Sequence, residues 1–149
     1  MVIVERASSR DFEHICVLDE TVYRGPSRRG IIGPALAASR CAVARVDGIV
    51  RGYVLTRPDF FGHGFVDLLV VHPDFRRRGL ATTLMRAAEL DAPTDKLFIS
   101  TNQSNVAAQR LFERLGFVRS GTIENVDEGD SEIVYFKRLA PSGKPGDEE

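Results

Sequence analysis

Near the N-terminus apolar and polar residues alternate in "VIVERA", the period-two pattern of a strand with one buried face. The pattern then changes. In "SSRDFEHICVLDETVYR" Phe12, Ile15, Val22 and either Leu18 or Asp19 recur at helical spacing, and Ser8 or Ser9 supplies a hydroxyl to open the helix. "GPSRRGIIGP" is rich in Gly and Pro and predicts a loop, followed by a short helix near "ALAAS". Two strand-like runs in "RCAVARVDGIVRGYVLTRP" flank Asp47-Gly48, a dipeptide suited to a tight hairpin turn. A second loop is expected at "DFFGHG". The almost continuous apolar run "FVDLLVV" then predicts a strand buried on both faces, ended by Pro73.

Beyond Pro73 the spacing predicts a helix from about Arg76 to Leu90, with Leu80, Leu84, Ala87 and Ala88 inside. "KLFIST" reads as a strand. "SNVAAQRLFERLGF" reads as a helix capped by Ser104, with Ala108, Leu111, Phe112 and Leu115 on one face and Gly116 as its stop. "FVRSGTIENV" and "SEIVYFKRL" predict a closing hairpin around "DEGD". The order β, α, α, β, β, β, α, β, α, β, β places a right-handed crossover and a parallel strand pair in the middle and hairpins on the flanks. The expected fold is therefore α/β of the mixed α+β type, with a mixed sheet and helices on both sides. Residues 1–139 are expected to form one domain and residues 140–149 a disordered tail.

Composition narrows the function classes. The 149 residues are 43% hydrophobic and 28% charged, with a formal net charge of -1. That balance suits a globular protein and argues against a general electrostatic grip on nucleic acid or on an anionic membrane. No run has transmembrane length, and the short apolar start is quickly followed by charge, unlike a signal peptide, so a cytoplasmic location is expected. Cys16 and Cys41 lie far apart in unrelated apolar segments, with no ligand spacing around them. They read as packing residues, and no metal is expected.

The chemistry concentrates in "VVHPDFRRRGLATTL". Here a basic triplet and a glycine sit between a buried strand and a helix. A helix N-terminus presents unpaired N–H groups and a partial positive charge, which suit phosphate oxygens. Gly79 removes a side chain from the approach, Ala81 keeps the next turn small, and Arg76, Arg77 and Arg78 can add charge-assisted bonds. The segment lacks the Lys-Ser/Thr ending of a P-loop and the spacing of a dinucleotide fingerprint. The blander reading of the triplet is a solvated helix start.

"RRRGLA" resembles the Arg/Gln-x-x-Gly-x-Gly/Ala motif of the GCN5-related N-acetyltransferase (GNAT) superfamily, and "NQSNVAAQRLFERLGF" resembles that family's second signature, which ends "LYEKLGF". The two motifs span about Val66 to Phe117, and the element order extends the likeness over nearly the whole chain. The resemblance implies a mostly antiparallel sheet of about seven strands with a splayed parallel pair in the middle. It also implies acetyl-CoA as co-substrate. Backbone N–H groups of Arg77, Arg78, Gly79, Leu80, Ala81 and Thr82 would cradle the pyrophosphate, with Arg76 beside them. Leu69, Val70 and Val71 would pair with the pantetheine arm in the cleft where their strand leaves the strand at Leu97 to Thr101, and Asn105, Ala108 and Phe112 would complete the cofactor site. Many relatives pair through sheet edges or helices, which makes a homodimer an expectation of the same kind.

Acetyl transfer to an amine needs an unprotonated amine and a fate for the thiolate. Asp67, the one acid in "FVDLLVV", is the preferred base, against the alternative of a strand-face carboxylate satisfied by a polar neighbour. Glu124 is second, and His63 and His72 are weaker. The sequence departs from the family at Phe112, where many members carry the Tyr assigned as the acid; Tyr135 is the candidate replacement, and ring packing is the simpler account of Phe112 itself. For the acceptor, Arg24, Arg28 and Arg29 precede the second helix, and Glu124, Asp127, Glu128 and Asp130 lie in the last hairpin, against the reading of two solvated loops. The leading expectation is transfer of an acetyl group to a primary amine of a small molecule, peptide or protein by direct attack in a ternary complex. The alternative is a non-catalytic acyl-CoA-binding or regulatory module.

Overall fold

The computed structural model describes residues 1–140. The expected tail, apart from Ala140, lies outside the described residues. Seven strands and four α-helices follow the expected order: β1 (Val2–Arg6), α1 (Phe12–Val22), α2 (Arg29–Ala37), β2 (Cys41–Val46), β3 (Ile49–Phe60), β4 (His63–Val71), α3 (Leu80–Asp91), β5 (Lys96–Asn102), α4 (Val106–Arg114), β6 (Val118–Asp127) and β7 (Asp130–Arg138). The strand order is β1-β2-β3-β4-β5-β7-β6. The pairing of β4 with β5 is parallel, while β1 with β2, β2 with β3, β5 with β7 and β6 with β7 are antiparallel.

The chain gathers into two compact units, Met1–Arg57 with Asp67–Asp91, and Pro58–Val66 with the chain from Ala92 onward. In the first, Ile15, Cys16 and Leu18 of α1 and Ile32, Ala35 and Leu36 of α2 share a core with Val43 of β2, Tyr53 and Leu55 of β3 and Val70 of β4. Both candidates for the α1 position, Leu18 and Asp19, prove buried. Asp47 and Gly48 take φ of 52° and 82°, the double left-handed turn their sequence favours. In the second unit the parallel register joins Gly64 with Leu97, Phe65 with Phe98 and Val66 with Ile99, and β4 runs on to Val71. Phe112 and Phe117 are buried in this unit, as are Leu97, Ile99, Ile133 and Tyr135.

Four local expectations need correction. The segment "GPSRRGIIGP" is not all loop: α2 begins at Arg29 and holds Pro34 inside it. Arg29 bonds Glu13 and Glu20 of α1, and Ile32 and Leu36 are buried, so tertiary contacts outweigh the Gly and Pro signals. The expected loop "DFFGHG" is a tight turn, because β3 continues through exposed Pro58 to Phe60, and Phe61 and Gly62 turn the chain with φ of 51° and 81°. The third helix starts at Leu80 rather than Arg76, and Met85 joins its buried stripe while Ala87 is half-buried. Finally, Asn105 and not Ser104 caps α4: its side-chain oxygen accepts the Ala108 N–H at 3.1 Å, whereas Ser104 is held by Asp130.

Candidate active site

The end of β4 leads into a short 3-10 turn, Pro73–Phe75, and then into the segment Arg76–Gly79 before α3. His72 caps the turn, its Nδ1 accepting the Asp74 N–H at 3.1 Å. Arg77 and Gly79 lie in the left-handed region, with φ of 64° and 79°. Space around the missing side chain of Gly79 is open, so backbone conformation is the constraint that favours glycine there. Alternation of this kind turns successive backbone N–H groups toward one concavity, a geometry suited to anions. At the helix start, Thr83 N–H and Oγ1 both donate to the Gly79 carbonyl, at 3.0 and 2.9 Å.

The triplet divides by role. All three arginines are exposed, but the Arg78 guanidinium lies 4.8 Å from the centre of the Phe75 ring, whereas Arg76 and Arg77 have no partner among the described residues. Leu80 is buried as the first anchor of α3, Ala81 is half-buried and Thr82 exposed. On β4, Val70 is buried and Leu69 and Val71 are half-buried.

Asp67 is not a lone acid in an apolar strand. Arg57 Nε lies 3.1 Å from one of its oxygens, and Arg40 Nη1 lies 4.0 Å from the other. The carboxylate is thus satisfied by charged neighbours on β3 and at the start of β2. Arg40 also donates to the Thr56 carbonyl at 2.6 Å, which fixes the cluster against β3.

The residues expected to hold the acceptor are largely engaged. Arg28 makes a two-point bond to Asp19, at 2.6 and 3.0 Å, and lies 3.7 Å from the Tyr23 ring centre. Asp19 is 1% exposed and also accepts the Tyr53 hydroxyl. Burial and that carboxylate raise the Tyr53 pKa well above the phenol range. Arg29 spans Glu13 and Glu20, and its bonds hold the Glu13 carboxyl below its usual range. Arg24 alone has no partner among the described residues. The pattern gave one hint of this cluster, the alternative of Leu18 or Asp19 on the buried face of α1. Its partner on β3, 34 residues away, left no local signal.

In the other unit Phe112 is 5% exposed, with the Tyr135 ring edge-on at 5.5 Å and Phe117 at 6.4 Å. Burial, assisted by Glu113 and opposed by Arg119, raises the Tyr135 pKa, so its hydroxyl keeps its proton at neutral pH. Three of the four acids of the last hairpin are bonded, Glu124 accepting from Ser131 at 2.7 Å, Asp127 from Asn102 at 2.8 Å and Asp130 from Ser104 at 2.6 Å, while Glu128 at the turn is exposed. His63 pairs with Thr94 at 2.7 Å. Among the described residues no cluster of three or more His, Cys, Asp or Glu side chains is placed to hold a metal. No described helix is long and apolar enough to cross a membrane.

Comparison with known proteins converges on the same class. A crystal structure of a GNAT-family acetyltransferase from Bacillus cereus superposes with a TM-score of 0.88 at 37% identity, covering 94% of this chain and 99% of that one. An uncharacterized N-acetyltransferase of Methanocaldococcus jannaschii is 25% identical over 149 residues, covering 96% of this chain and 95% of its own. An N-alpha-acetyltransferase of Saccharolobus solfataricus is 31% identical over 109 residues, 63% of this chain and 65% of its own. The family model described as "Acetyltransferase (GNAT) family" matches residues 7–117, most of the chain, and the protein therefore belongs to the GNAT acetyltransferase family.

Proposed function

We propose that this protein transfers the acetyl group of acetyl-CoA to a primary amine by direct attack in a ternary complex. The observation that carries the reading is the Arg76–Gly79 segment. Two left-handed residues, an open position at Gly79 and two arginines without a partner among the described residues precede a 12-residue helix whose N-terminal dipole favours anions. The N–H groups of Arg77–Thr82 hold the pyrophosphate, and the backbone of Leu69–Val71 supports the pantetheine arm. Asn105 keeps its amide nitrogen for the ligand, since only its oxygen caps α4.

The state of the acids supports one acceptor class over another. An α-amino group titrates at about 7.7–8.0 and a lysine amine at about 10.4, so only the former is substantially unprotonated near neutrality without a strong base. Asp67 is tied to arginines and Glu124 to a serine. An α-amine, as in the name of the Saccharolobus relative, is thus the better fit to this chain. Asp67 then acts through water rather than by abstracting a proton from a lysine-like amine, with Glu124 second, and Tyr135 returns a proton to the departing thiolate. Of the acceptor arginines, Arg24 is the one left to meet a substrate carboxylate.

Calorimetric titration of acetyl-CoA and CoA into wild type and Gly79→Glu tests the cofactor site. Micromolar binding that the substitution abolishes supports it; no binding by wild type overturns it. A panel of peptides with free N-termini, against lysine side-chain amines, then reads release of CoA thiol. Phe112, which lacks the family's hydroxyl, motivates the competing reading of a non-catalytic acyl-CoA-binding module. Tight CoA binding with hydrolysis that no amine stimulates would favour that reading.

A further inference from the structure

Phe75 stands at the centre of a cluster that neither the family motifs nor the cofactor cradle accounts for. The guanidinium carbons of Arg51, on β3, and of Arg78 lie 4.5 and 4.8 Å from its ring centre, and the His72 ring meets it edge-on at 5.5 Å. Arg51 is further fixed through its main chain, whose carbonyl accepts the His72 N–H at 2.8 Å. Its side-chain Nε is buried and has no hydrogen-bond partner among the described residues. A guanidinium withdrawn from water without a full set of acceptors gains its compensation from the face of an aromatic ring.

The backbone around this cluster is sparsely bonded. Phe75 N–H donates to the His72 carbonyl at 2.9 Å, but the Arg76 N–H reaches the Pro73 carbonyl only at 3.5 Å, and the next main-chain bond back to this segment is made from Thr83. Between them lie the two left-handed residues, and left-handed backbone at a non-glycine such as Arg77 persists only where its surroundings over-determine it.

We infer that Phe75 is a positioning residue: its ring, held by Arg51 on β3, captures Arg78 and so locks the Arg76–Gly79 segment in the conformation that turns its N–H groups toward an anion. The cost is one cation, since Arg78 serves the ring and leaves charge contact with a phosphate to Arg76 and Arg77. The inference rests on the proposed CoA-binding reading for its functional consequence, but not for its structural one.

The test uses the full chain with Phe75→Leu, which keeps apolar volume and removes the π face, Phe75→Tyr, which keeps the face on a half-buried ring, and Arg51→Gln. Limited trypsin digestion without cofactor reads the segment directly, because cleavage after Arg76, Arg77 or Arg78 requires it to open; cleavage after Arg24 is the internal control for general loosening. Phe75→Leu and Arg51→Gln are expected to be nicked at the triplet severalfold faster than wild type with Arg24 unchanged, and Phe75→Tyr to match wild type. Calorimetry with CoA is then expected to show affinity about tenfold weaker for Phe75→Leu and within about twofold of wild type for Phe75→Tyr. Equal nicking of all four proteins, or loss of the segment's protection by Tyr and Leu alike, overturns the positioning role. Nicking that follows the ring while wild type fails to bind CoA upholds the positioning role and overturns the proposed cofactor.

Discussion

Arg28 and the N-terminal ammonium of Met1 each pair with an aspartate, and their surroundings set what each pair is worth. The Met1–Asp47 partners are 81% and 82% exposed, so solvent screens them and removing the pair is expected to leave stability unchanged. Asp19 is 2% exposed in its side chain and Arg28 18%, and here the loss of one partner strands the other. Arg28→Ala is expected to cost about 3 kcal/mol in urea unfolding, the lower end for a broken buried pair because Tyr53 still donates to Asp19. Burial pushes the Cys41 thiol up to about 12, with the nearby Asp11 charge adding to it, and burial raises Cys16 as well. A raised thiol pKa keeps both groups neutral at pH 8, so mass spectrometry after iodoacetamide treatment should find neither labelled in the native protein and both after unfolding. Phe112→Tyr is expected to retain CoA affinity and to leave turnover equal or higher, measured as thiol release. A large loss of CoA binding would instead show that the contact with Tyr135 has no room for a hydroxyl.

At the scale of elements, α2 shows how a tertiary context overrides local propensity. Pro34 occupies the sixth position of the helix, where it offers no N–H to the Gly30 carbonyl, and its ring is exposed. Pro34→Ala should therefore raise the free energy of unfolding by about 1–2 kcal/mol, read as a higher urea midpoint, once the greater freedom of the unfolded alanine chain is subtracted. This helix also marks what the sequence could and could not tell. Hydrophobic period together with turn and cap residues was enough for the element order, even though β6 is exposed along its whole length and only Val4 of β1 is half-buried. The start of α2, the length of β3 and the start of α3 depend on Glu13 and Glu20, on a turn taken by Phe61 and Gly62, and on backbone angles at Arg77 and Gly79. None of these has a periodic signature. The two motifs, at residues 76–81 and 102–117, could be recognised because each is one short run of sequence. The partners that satisfy Asp67, namely Arg57 and Arg40, are assembled only by strand pairing, and so the acid looked freer than it is.

For the molecule as a whole, a net charge of -1 leaves recognition to local groups, which agrees with the proposed cofactor site, one short segment rather than a charged face. The two compact units each contain a buried tyrosine: Tyr53 against Asp19 in one, Tyr135 against Phe112 in the other. The chain has three tyrosines and no tryptophan, so its near-ultraviolet emission is not masked by indole. A phenol that donates to a carboxylate is quenched by it, and Tyr53 should brighten when the first unit melts. In Tyr135→Phe the changing signal belongs to the first unit, and in Tyr53→Phe the buried reporter belongs to the second. In each variant, a fluorescence melt that coincides with the loss of far-ultraviolet circular dichroism would make the chain one cooperative folding unit. Fluorescence melts that part from the dichroism of the same variant would make each unit a domain in the thermodynamic sense, with its own heat of unfolding and its own limit of tolerance to mutation.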